Sequence, residues 1–344
     1  MDIWKLYEMM LKSRLFEESV TNFWNNGQIS GEMHLGVGEE AIVAGIVDNL
    51  EDGDAMALDH RGTPPMVMRG IDLLSLMKEF LGAEEGVCGG KGGHMHLFSK
   101  EQLIASSGII GASGPAAAGF AFSSQYRKNG KIAIAFFGEG TMNQGMMLES
   151  MNLAVAWNLP VIFVCKDNKM AITTASSSVT GGNLVDRAIA FGMPGYEIDG
   201  SNVEAVWKIA QKAISDARKN KGPSYIHAHC FRREGHFLGD PLIRISRHPY
   251  QEMSSISGPL MKSTAKFKGS SIAKRAKSMK TVLSILGKTA KDQMLSPVDP
   301  VEMTRKKLKK EPQRLENVEK KVKSEIEWVE EECTKGNKIE EVRI

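Results

Sequence analysis

The amino-acid sequence predicts an α/β fold, in which a parallel sheet carries helices on both faces and a helical extension follows at the carboxyl terminus. Three apolar runs have the length and composition of buried strands: "IAIAFFG" at 132–138, "LPVIFVC" at 159–165 and "SYIHAHCF" at 224–231. The segment between the first two runs, "MNQGMMLESMNLAVAWN", is about as long as one crossover helix. A strand, a helix and a strand in this order form a βαβ unit, and such units imply parallel strands.

Periodic apolar patterns predict helices elsewhere. Residues 3–25 form one helix, and "AIVAGIVDNL" after Glu40 forms another, which ends at the turn-forming "EDGD". A further helix begins at Val203, and we expect it to end at Gly222, because glycine is a common C-cap residue. From Arg314 onward a Glu/Lys-rich helix has one apolar face, which predicts a packing surface on this domain or on a partner. That face contains Leu315, Val318, Val322, Ile326 and Val329.

The composition is that of an ordinary soluble globular protein. The 344 residues are 42% hydrophobic and 25% charged, and the net charge of +3 is too small to indicate binding to nucleic acid. No apolar run approaches the roughly 18 to 20 residues of a membrane helix, and the amino terminus is charged and amphipathic, so we expect a cytoplasmic protein without a membrane partner. Four cysteines lie far apart, which predicts free, buried thiols rather than a zinc site or a disulfide framework. They are Cys88, Cys165, Cys230 and Cys333.

Changes in composition and apolar periodicity along the sequence predict three regions: an α/β domain over residues 1–248, a basic insertion over 249–298 and carboxy-terminal helices over 299–344. Between Ser254 and Lys291 there are nine Lys or Arg residues and no Asp or Glu. Such a run is typical of a solvated face, here a loop or short helices, and the alternative is a surface that docks a partner.

An acidic residue lies between two glycines where the first predicted strand ends, in "FFGEGTMNQG" at 136–145. This order places Glu139 at the carboxyl end of the sheet, where open α/β sheets bind their ligands. Asn168 follows the next strand 29 residues later, so it should lie at the same edge. A carboxylate oxygen, an amide oxygen and a backbone carbonyl suit Mg²⁺, which takes its remaining ligands from phosphate and water.

The glycines beside Glu139 suggest a diphosphate ligand. Gly138 and Gly140 let the backbone approach such a group, and the helix expected to follow offers free N–H groups and the positive end of its dipole. The dinucleotide pattern G-x-G-x-x-G is not met, because the third glycine is Gly145, and no G-x-x-x-x-G-K-[ST] loop occurs. A glycine-acid-glycine triplet is also common in ordinary turns, so this triplet alone leaves that interpretation open.

The stretch "GEGTMNQGMMLESMNLAVAWNLPVIFVCKDN" resembles the thiamine-diphosphate motif, in which Gly-Asp-Gly is followed about thirty residues later by Asn. More narrowly, the chain resembles the alpha subunits of the decarboxylating first component of 2-oxo acid and acetoin dehydrogenase complexes, from about residue 5 to 245 and again over the last fifty residues. Further stretches carry the resemblance: "HLGVGEEAIVAG" at 34, "DHRGTPP" at 59, "GGKGGHMHLF" at 89, "SGIIGASGPAAAG" at 107 and "REGHFLGDP" at 233. It implies a thiamine-diphosphate-binding fold with thiamine diphosphate and Mg²⁺ as cofactors.

The resemblance implies a set of metal ligands. Glu139 takes the place of the family's metal-binding aspartate, Asn168 that of the second side-chain ligand, and the carbonyl of Met170 that of the third. Glutamate in place of aspartate departs from the family pattern. The extra methylene moves the carboxylate, so the loop retracts, or the glutamate binds differently or through water.

The resemblance also implies which residues bind the cofactor. Arg61 matches the diphosphate-binding arginine, whose guanidinium can hold phosphate oxygens bidentately; the alternative is a surface arginine in a turn. Ile110 matches a residue that packs on the cofactor's rings, although a core isoleucine looks the same in sequence. The cofactor-binding positions are His60, Arg61, Gly108, Ile110, Gly138, Gly140, Thr141, Asn168 and His236.

Two histidines, His34 and His236, match positions that line the reacting centre, which makes them the candidate catalytic residues. Imidazole near neutral pH moves protons or stabilises a developing enolate, whereas a lone histidine is more often structural. Phe237 stands where pyruvate-type enzymes of higher organisms carry a regulatory serine, so phosphorylation at that position is excluded. Glu234 stands where pyruvate-type relatives place a histidine, and this loop is more similar to that of acetoin-type enzymes.

The resemblance implies partners, because one α/β domain accounts for nearly all of the regular pattern and thiamine-diphosphate enzymes need two. We expect a beta subunit that completes a heterotetramer of two alpha and two beta chains, active only when assembled. The substrate would be a small carbonyl compound, acetoin or a 2-oxo acid such as pyruvate, and the acyl unit would pass to a lipoyl acyltransferase protein. The alternatives are a transketolase-like half enzyme, or a cofactor-less structural or regulatory subunit.

The basic insertion is longer than the family's connection, since almost sixty residues separate Asp240 from Asp299. Our hypothesis is that it lies over the entrance to the cofactor channel or docks the acyl-accepting protein. Deleting residues 254–291 should then leave cofactor binding intact and weaken acyl transfer in a salt-sensitive way.

Overall fold

A sheet of seven strands forms the centre of the structure, a computed structural model that describes residues 1–172, 174–240 and 298–336. The strands of the chain are β1 (Ala55–Leu58), β2 (Phe98–Ser99), β3 (Ile104–Ser106), β4 (Ala133–Gly138), β5 (Val161–Asp167), β6 (Met170–Ala171), β7 (Thr174–Ala175), β8 (Gly195–Asp199) and β9 (Ser224–His229). The seven lie in the order β2-β3-β1-β4-β5-β9-β8, and β6 and β7 form a separate antiparallel pair.

The sheet is parallel between all neighbouring strands except β2 and β3. The three predicted strands are the central β4, β5 and β9, so the predicted α/β class with a parallel sheet is confirmed. From β1 the chain proceeds to β3 on one side and then to β4 on the other. The strand order therefore reverses between β1 and β4, which creates a crevice at their carboxyl ends.

Helices cover both faces of the sheet. They are α1 (Ile3–Asn25), α2 (Glu40–Val47), α3 (Thr63–Met68), α4 (Leu73–Phe80), α5 (Ser113–Arg127), α6 (Gly145–Ala156), α7 (Leu184–Ala190), α8 (Val203–Arg218), α9 (Pro300–Leu308) and α10 (Pro312–Gly336). The predicted helix over 3–25 is α1. The expectation that α8 ends at Gly222 is wrong: the helix ends at Arg218, and Asn220 takes the left-handed conformation with φ 58°. Asparagine tolerates this conformation better than most residues, so the chain turns before the glycine.

Alternating side chains of the central strands pack into two separate hydrophobic cores, one on each face of the sheet. On β4, Ile134 and Phe136 pack with α1, α2, α4 and α8, whereas Phe137 packs on the opposite face with residues of α5, α6 and α7. Both faces are apolar, which explains why the strand sequences are continuous apolar runs rather than alternating ones. Cys165 and Cys333 are buried, Cys88 and Cys230 are half-buried, and all four are free.

The carboxy-terminal helices pack on this domain. The predicted apolar face of α10 contacts α1 and α4, with Leu315, Val322, Ile326 and Val329 buried and Val318 partly buried. A buried ion pair adds to this contact, because Arg14 on α1 bonds both Glu40 at 2.6 Å and Asp299, the N-cap residue of α9, at 3.0 Å.

Two sequence predictions concern the basic insertion and a membrane helix. The basic segment 254–291, and the insertion 249–298 apart from its last residue, lie outside the described residues. Within the described ranges, no helix combines the length and the apolar character that crossing a membrane would require.

Candidate active site

A cavity of about 250 Å³ opens at the carboxyl ends of β1, β4 and β5, beside the crevice where the strand order reverses. Ten of the twelve residues singled out from the sequence line it, although they come from loops far apart in the chain. They are His60, Arg61, Ile110, Gly138, Glu139, Gly140, Thr141, Asn168, Met170 and His236. The remaining two, Gly108 and His34, lie beside the cavity without lining it.

Glu139 begins a turn of 3₁₀-helix, Glu139–Asn143, directly after β4. The helix expected to follow this turn and to offer its free N–H groups is α6, which begins at Gly145. The Glu139 side chain is buried, and its Oε1 accepts a hydrogen bond of 2.6 Å from Ser176 Oγ. Burial raises the pKa of the Glu139 carboxyl, so a cation bound beside it would favour the carboxylate form.

Two successive turns shape the loop after β5. Asp167 Oδ1 accepts a hydrogen bond of 2.7 Å from the backbone N–H of Lys169, and Asn168 Oδ1 accepts one of 2.9 Å from that of Met170. Lys169 takes the left-handed conformation with φ 64°, as such side-chain-supported turns allow. The Met170 carbonyl accepts a bond of 3.0 Å from Arg232 Nη2. Each of these oxygens has two lone pairs, so both Asn168 and Met170 keep one for a cation.

The floor of the cavity has room and donors for a diphosphate. A Cβ added to Gly140 would meet no atom within 4 Å, and one added to Gly138 would approach only the Lys166 carbonyl at 4.0 Å. The cavity also contains two buried nitrogens, His60 Nε2 and Arg232 Nε, that have no hydrogen-bond partner in the described part of the chain. Phosphate oxygens would supply partners for such groups.

Arg61 joins two loops beneath the cavity. Its Nη1 donates to the Leu35 carbonyl, and its Nη2 donates to the His236 carbonyl at 2.6 Å. Burial, together with the nearby Arg232 cation, lowers the pKa of Arg61 to about 9, so the guanidinium remains charged near neutral pH. A bound anion would offset the cost of burying this charge.

Three imidazoles meet beside Arg61. The ring of His34 lies 4.8 Å from that of His60 and 5.0 Å from that of His236, measured between centroids. Burial lowers the pKa of all three, to about 3 for His60 and about 4 for His236. Each is therefore neutral near pH 7, with one nitrogen that can accept a proton and one that donates. Such a group can act as a base or as a hydrogen-bond donor to a reacting oxygen.

A fourth histidine, His94, was not singled out from the sequence, although it lies in the quoted stretch "GGKGGHMHLF". Its Nε2 is 2.9 Å from His34 Nδ1. The loop that carries it is held by the buried carboxylate of Glu79, which accepts hydrogen bonds from four backbone N–H groups between Cys88 and Gly93. Glu79 thus places His94 against His34.

The stretch at 107 lies between the cavity and the loop that carries His94. A Cβ on Gly108 would lie 3.4 Å from His96 Nε2 and from Met95 Sδ, so this glycine packs against the His94 loop. Ile110 lines the cavity but is 45% exposed, and its neighbour Ile109 is 63% exposed. The apolar side chains at the mouth of the cavity are therefore uncovered.

Other residues of the site also lacked a sequence signal. Ser176 lies in a polar run whose approach to Glu139 depends on the β6–β7 hairpin. Lys166 is buried under the cavity and pairs with Glu39 at 2.7 Å and Asp59 at 3.2 Å. Lysine is rarely buried, so its position directly after the apolar run at 159–165 did not indicate a buried side chain.

Comparisons with known proteins match this chain over most of its length. A family model described as the dehydrogenase E1 component matches residues 7–294. The alpha subunit of acetoin:2,6-dichlorophenolindophenol oxidoreductase from Bacillus subtilis is 38% identical over 237 residues, covering 68% of this chain and 71% of that protein. The protein of the same name from Cupriavidus necator is 41% identical with the same coverage. The pyruvate dehydrogenase E1 component subunit alpha from Rhizobium meliloti is 37% identical over 258 residues and 74% of each chain.

Proposed function

Because this chain belongs to the dehydrogenase E1 component family, we propose that it is the alpha subunit of a thiamine-diphosphate-dependent oxidoreductase. The reaction proposed is cleavage of a C–C bond next to a carbonyl group, followed by transfer of the acyl unit to a lipoyl protein. When bound, the cofactor supplies an electron sink for the carbanion formed at the substrate carbonyl. The protein orients the reactants, excludes water and supplies the side chains that donate and accept protons.

The observation that carries this proposal is the convergence of Glu139, Asn168 and the Met170 carbonyl on one cavity that also holds Arg61 and Arg232. Hard oxygen ligands beside guanidinium groups are what a Mg²⁺-diphosphate requires. We propose that the three oxygens bind Mg²⁺. The arginines and the open backbone at Gly138 and Gly140 would hold the diphosphate oxygens.

The neutral histidines would handle protons. His236 lines the cavity and is fixed at its backbone, since its N–H donates to Asp240 Oδ2 at 2.9 Å and its carbonyl accepts from Arg61. We assign it the role of proton donor and acceptor at the substrate oxygen. His34 lies behind it and acts through ring contact with His60 and His236.

We propose acetoin rather than a 2-oxo acid as the substrate. The support is the loop "REGHFLGDP", in which Glu234 and Phe237 depart from the pyruvate type, together with two relatives that are named for acetoin. Pyruvate is the second candidate, because other relatives are named for it.

A beta chain is proposed to cover the mouth of the cavity. Exposed apolar side chains begin there with Ile109 and Ile110 and continue to Phe122 on α5 and Trp157 at the C-cap of α6, which are 46% and 51% exposed. Gly111 joins the two areas, because a Cβ on it would lie 2.8 Å from Met146 at the start of α6. A continuous apolar surface of this kind is typical of an interaction site.

Calorimetry tests the cofactor site. Thiamine diphosphate and Mg²⁺ are titrated into the chain purified together with its beta chain, for the wild type, Glu139→Ala and the exposed-surface control Glu101→Ala. We expect Mg²⁺-dependent binding to be lost only in Glu139→Ala. Unchanged affinity in that variant would show that Glu139 is not a metal ligand.

Dye-linked oxidation separates the substrate and partner proposals. The assembled protein should reduce a dye with acetoin faster than with pyruvate, and the isolated chain should be inactive with both. Turnover by the isolated chain would contradict the requirement for a partner, and a preference for pyruvate would overturn the substrate assignment while leaving the family function intact.

A further inference from the structure

A second cluster of potential ligands lies outside the cavity, at the carboxyl ends of β5 and β9. It consists of Asp167, His227 and His229. The two histidines are two positions apart on β9, and alternate residues of a strand point to the same face. Asp167 ends the neighbouring strand β5 and is paired in register with His229. None of the three lines the cavity assigned to the cofactor.

Three donor atoms of this cluster converge. Asp167 Oδ2 lies 2.8 Å from His227 Nε2 and 3.5 Å from His229 Nδ1. One ligand atom from each residue falls within 4.8 Å of the others. Tetrahedral coordination at Zn–N and Zn–O distances of 2.0–2.1 Å separates ligand atoms by about 3.3 Å. The two contacts of Asp167 Oδ2, at 2.8 Å and 3.5 Å, lie within about half an ångström of this separation.

Groups outside the cluster orient its ligands. The Lys169 backbone N–H bonds Asp167 Oδ1 at 2.7 Å, which leaves Oδ2 facing the histidines. On the edge strand β8, Glu197 Oε1 lies 2.7 Å from His229 Nε2. A carboxylate that bonds one nitrogen of an imidazole fixes the tautomer and raises the basicity of the other nitrogen. Most metal-bound histidines have such a partner on the nitrogen that does not bind the metal.

An ordinary hydrogen-bond network does not account for all of these atoms. It explains the contact between Asp167 and His227, but His229 Nδ1 is buried and forms no well-aligned hydrogen bond within the described residues, since its contact with Asp167 Oδ2 is as long as 3.5 Å. This is the nitrogen that the Glu197 contact leaves free on the cluster side. Buried polar atoms in native proteins rarely lack a partner, so such an atom points to a missing ligand.

We propose that Asp167, His227 and His229 bind a zinc-class divalent cation, with Glu197 as the supporting carboxylate. Two imidazoles and one carboxylate select Zn²⁺ over Mg²⁺, which prefers oxygen ligands in an octahedral set. Three protein ligands leave the fourth position of a tetrahedral ion for water. His229 is about one-third exposed, so an ion can enter from solvent.

The site would be coupled to the cofactor loop through the chain itself. Asp167 directly precedes Asn168, and its carboxylate already bonds the backbone of Lys169 in the same turn. An ion on Asp167 would hold this turn in place. Zinc binding does not depend on the proposed reaction, so either proposal can fail without the other.

Calorimetric titration with ZnCl₂ tests the site. The full chain with its co-purified partner is first stripped of metal with a chelator and kept free of thiamine diphosphate. We expect the wild type to bind one zinc equivalent more than His229→Gln or Asp167→Asn. Glu197→Gln should retain that equivalent with about 10- to 100-fold weaker affinity, the usual effect of losing a supporting partner. Co²⁺ should give the visible absorption of a tetrahedral ion in the wild type and not in His229→Gln.

The other histidine group provides the matched control, because His34, His60 and His236 also bring nitrogens within reach of one ion. His236→Gln should keep the equivalent that His229→Gln loses. The proposal is overturned if His229→Gln binds zinc like the wild type, or if the equivalent disappears in His236→Gln instead. Circular dichroism of each metal-free variant confirms folding, and His229→Gln, which alters a partly exposed side chain, carries the test if Asp167→Asn misfolds.

Discussion

His34 Nδ1 and His94 Nε2 lie 2.9 Å apart, and their rings are close to parallel, with 18° between the planes. One nitrogen must donate and the other accept, so the tautomer of each imidazole determines that of the other. Burial lowers the pKa of both residues, which keeps the pair neutral near pH 7. His94 therefore controls which nitrogen of His34 carries the proton, without lining the cavity itself.

Removing the His94 ring should impair turnover more than binding. In His94→Leu we expect kcat to fall roughly 10- to 100-fold, within the range of acid–base effects, with little change in the KM for thiamine diphosphate. His94→Gln, whose amide can reach the position of Nε2, should recover part of the loss. The pH profile of kcat, measured for both variants, distinguishes a positioning role from a packing role, and equal loss in both variants with an unshifted profile would indicate packing.

Loss of the Ser176 hydroxyl should weaken the metal site. Ser176 donates a 2.6 Å bond to the carboxylate proposed as a Mg²⁺ ligand, Glu139. Ser176→Ala is expected to lower the affinity for Mg²⁺ about 10-fold, measured by titration at saturating thiamine diphosphate. The neighbouring Ser178 donates to a backbone carbonyl instead, so Ser178→Ala should behave like the wild type. An equal effect of both substitutions would contradict the assignment.

The buried carboxyl of Glu17 should make stability depend on pH. Burial raises its pKa from 4.5 to about 8, and its Oε1 accepts a bond from the Gly36 N–H in the loop that bears His34. Between these pH values the folded chain keeps a proton that the unfolded chain has released. Its contribution to stability is fully present below about pH 4.5 and is lost as the pH rises toward 8, by about 1.4 kcal/mol per pH unit.

Glu17→Gln removes this titration while keeping an acceptor for Gly36. Its stability relative to the wild type should therefore increase from pH 5 to pH 8, as measured by urea unfolding at several pH values. The exposed-surface variant Glu84→Gln serves as the control and should stay parallel to the wild type. A constant difference between Glu17→Gln and the wild type would show that Glu17 does not hold the extra proton.

Asp299 should be important for stability in two separable ways. It accepts a bond of 2.9 Å from the Val301 N–H as the N-cap of α9, and it pairs with Arg14 and with Arg233 at 3.1 Å. Asp299→Asn keeps a good N-cap and loses the charge, so we expect a loss of roughly 1 to 3 kcal/mol in the free energy of unfolding. Asp299→Ala should lose about 1 kcal/mol more. Urea unfolding of the three proteins measures both steps, and equal stabilities would refute the interpretation.

The sequence was sufficient for the centre of the fold. β4, β5 and β9 are buried on both faces, so they appear as continuous apolar runs. β1 and β3 have only four and three residues, and β8 mixes Glu197 and Asp199 with apolar residues at the sheet edge. Strands of this kind are recognised only once their neighbours are known, because pairing and not composition stabilises them.

Some residues of the candidate site could be predicted from the sequence, and others could not. Glu139 and Asn168 could be placed together because each follows one of two adjacent parallel strands, and this geometry is implied by the βαβ unit. Ser176 reaches Glu139, and Arg232 reaches the cavity, from loops whose direction depends on tertiary contacts. The position of His94 depends on the hydrogen bonds that its loop donates to Glu79. No local pattern encodes such approaches.

The packing of α10 on α1 has a consequence for biosynthesis. Tyr7 and Glu319, which share a hydrogen bond of 2.8 Å, are 312 residues apart. At translation rates of about 5–20 residues per second, α10 leaves the ribosome on the order of tens of seconds after α1 has been synthesised. During that interval the apolar face of α1 is exposed on the nascent chain. Chaperone binding to the first helix is thus expected to persist until the sequence of α10 has emerged.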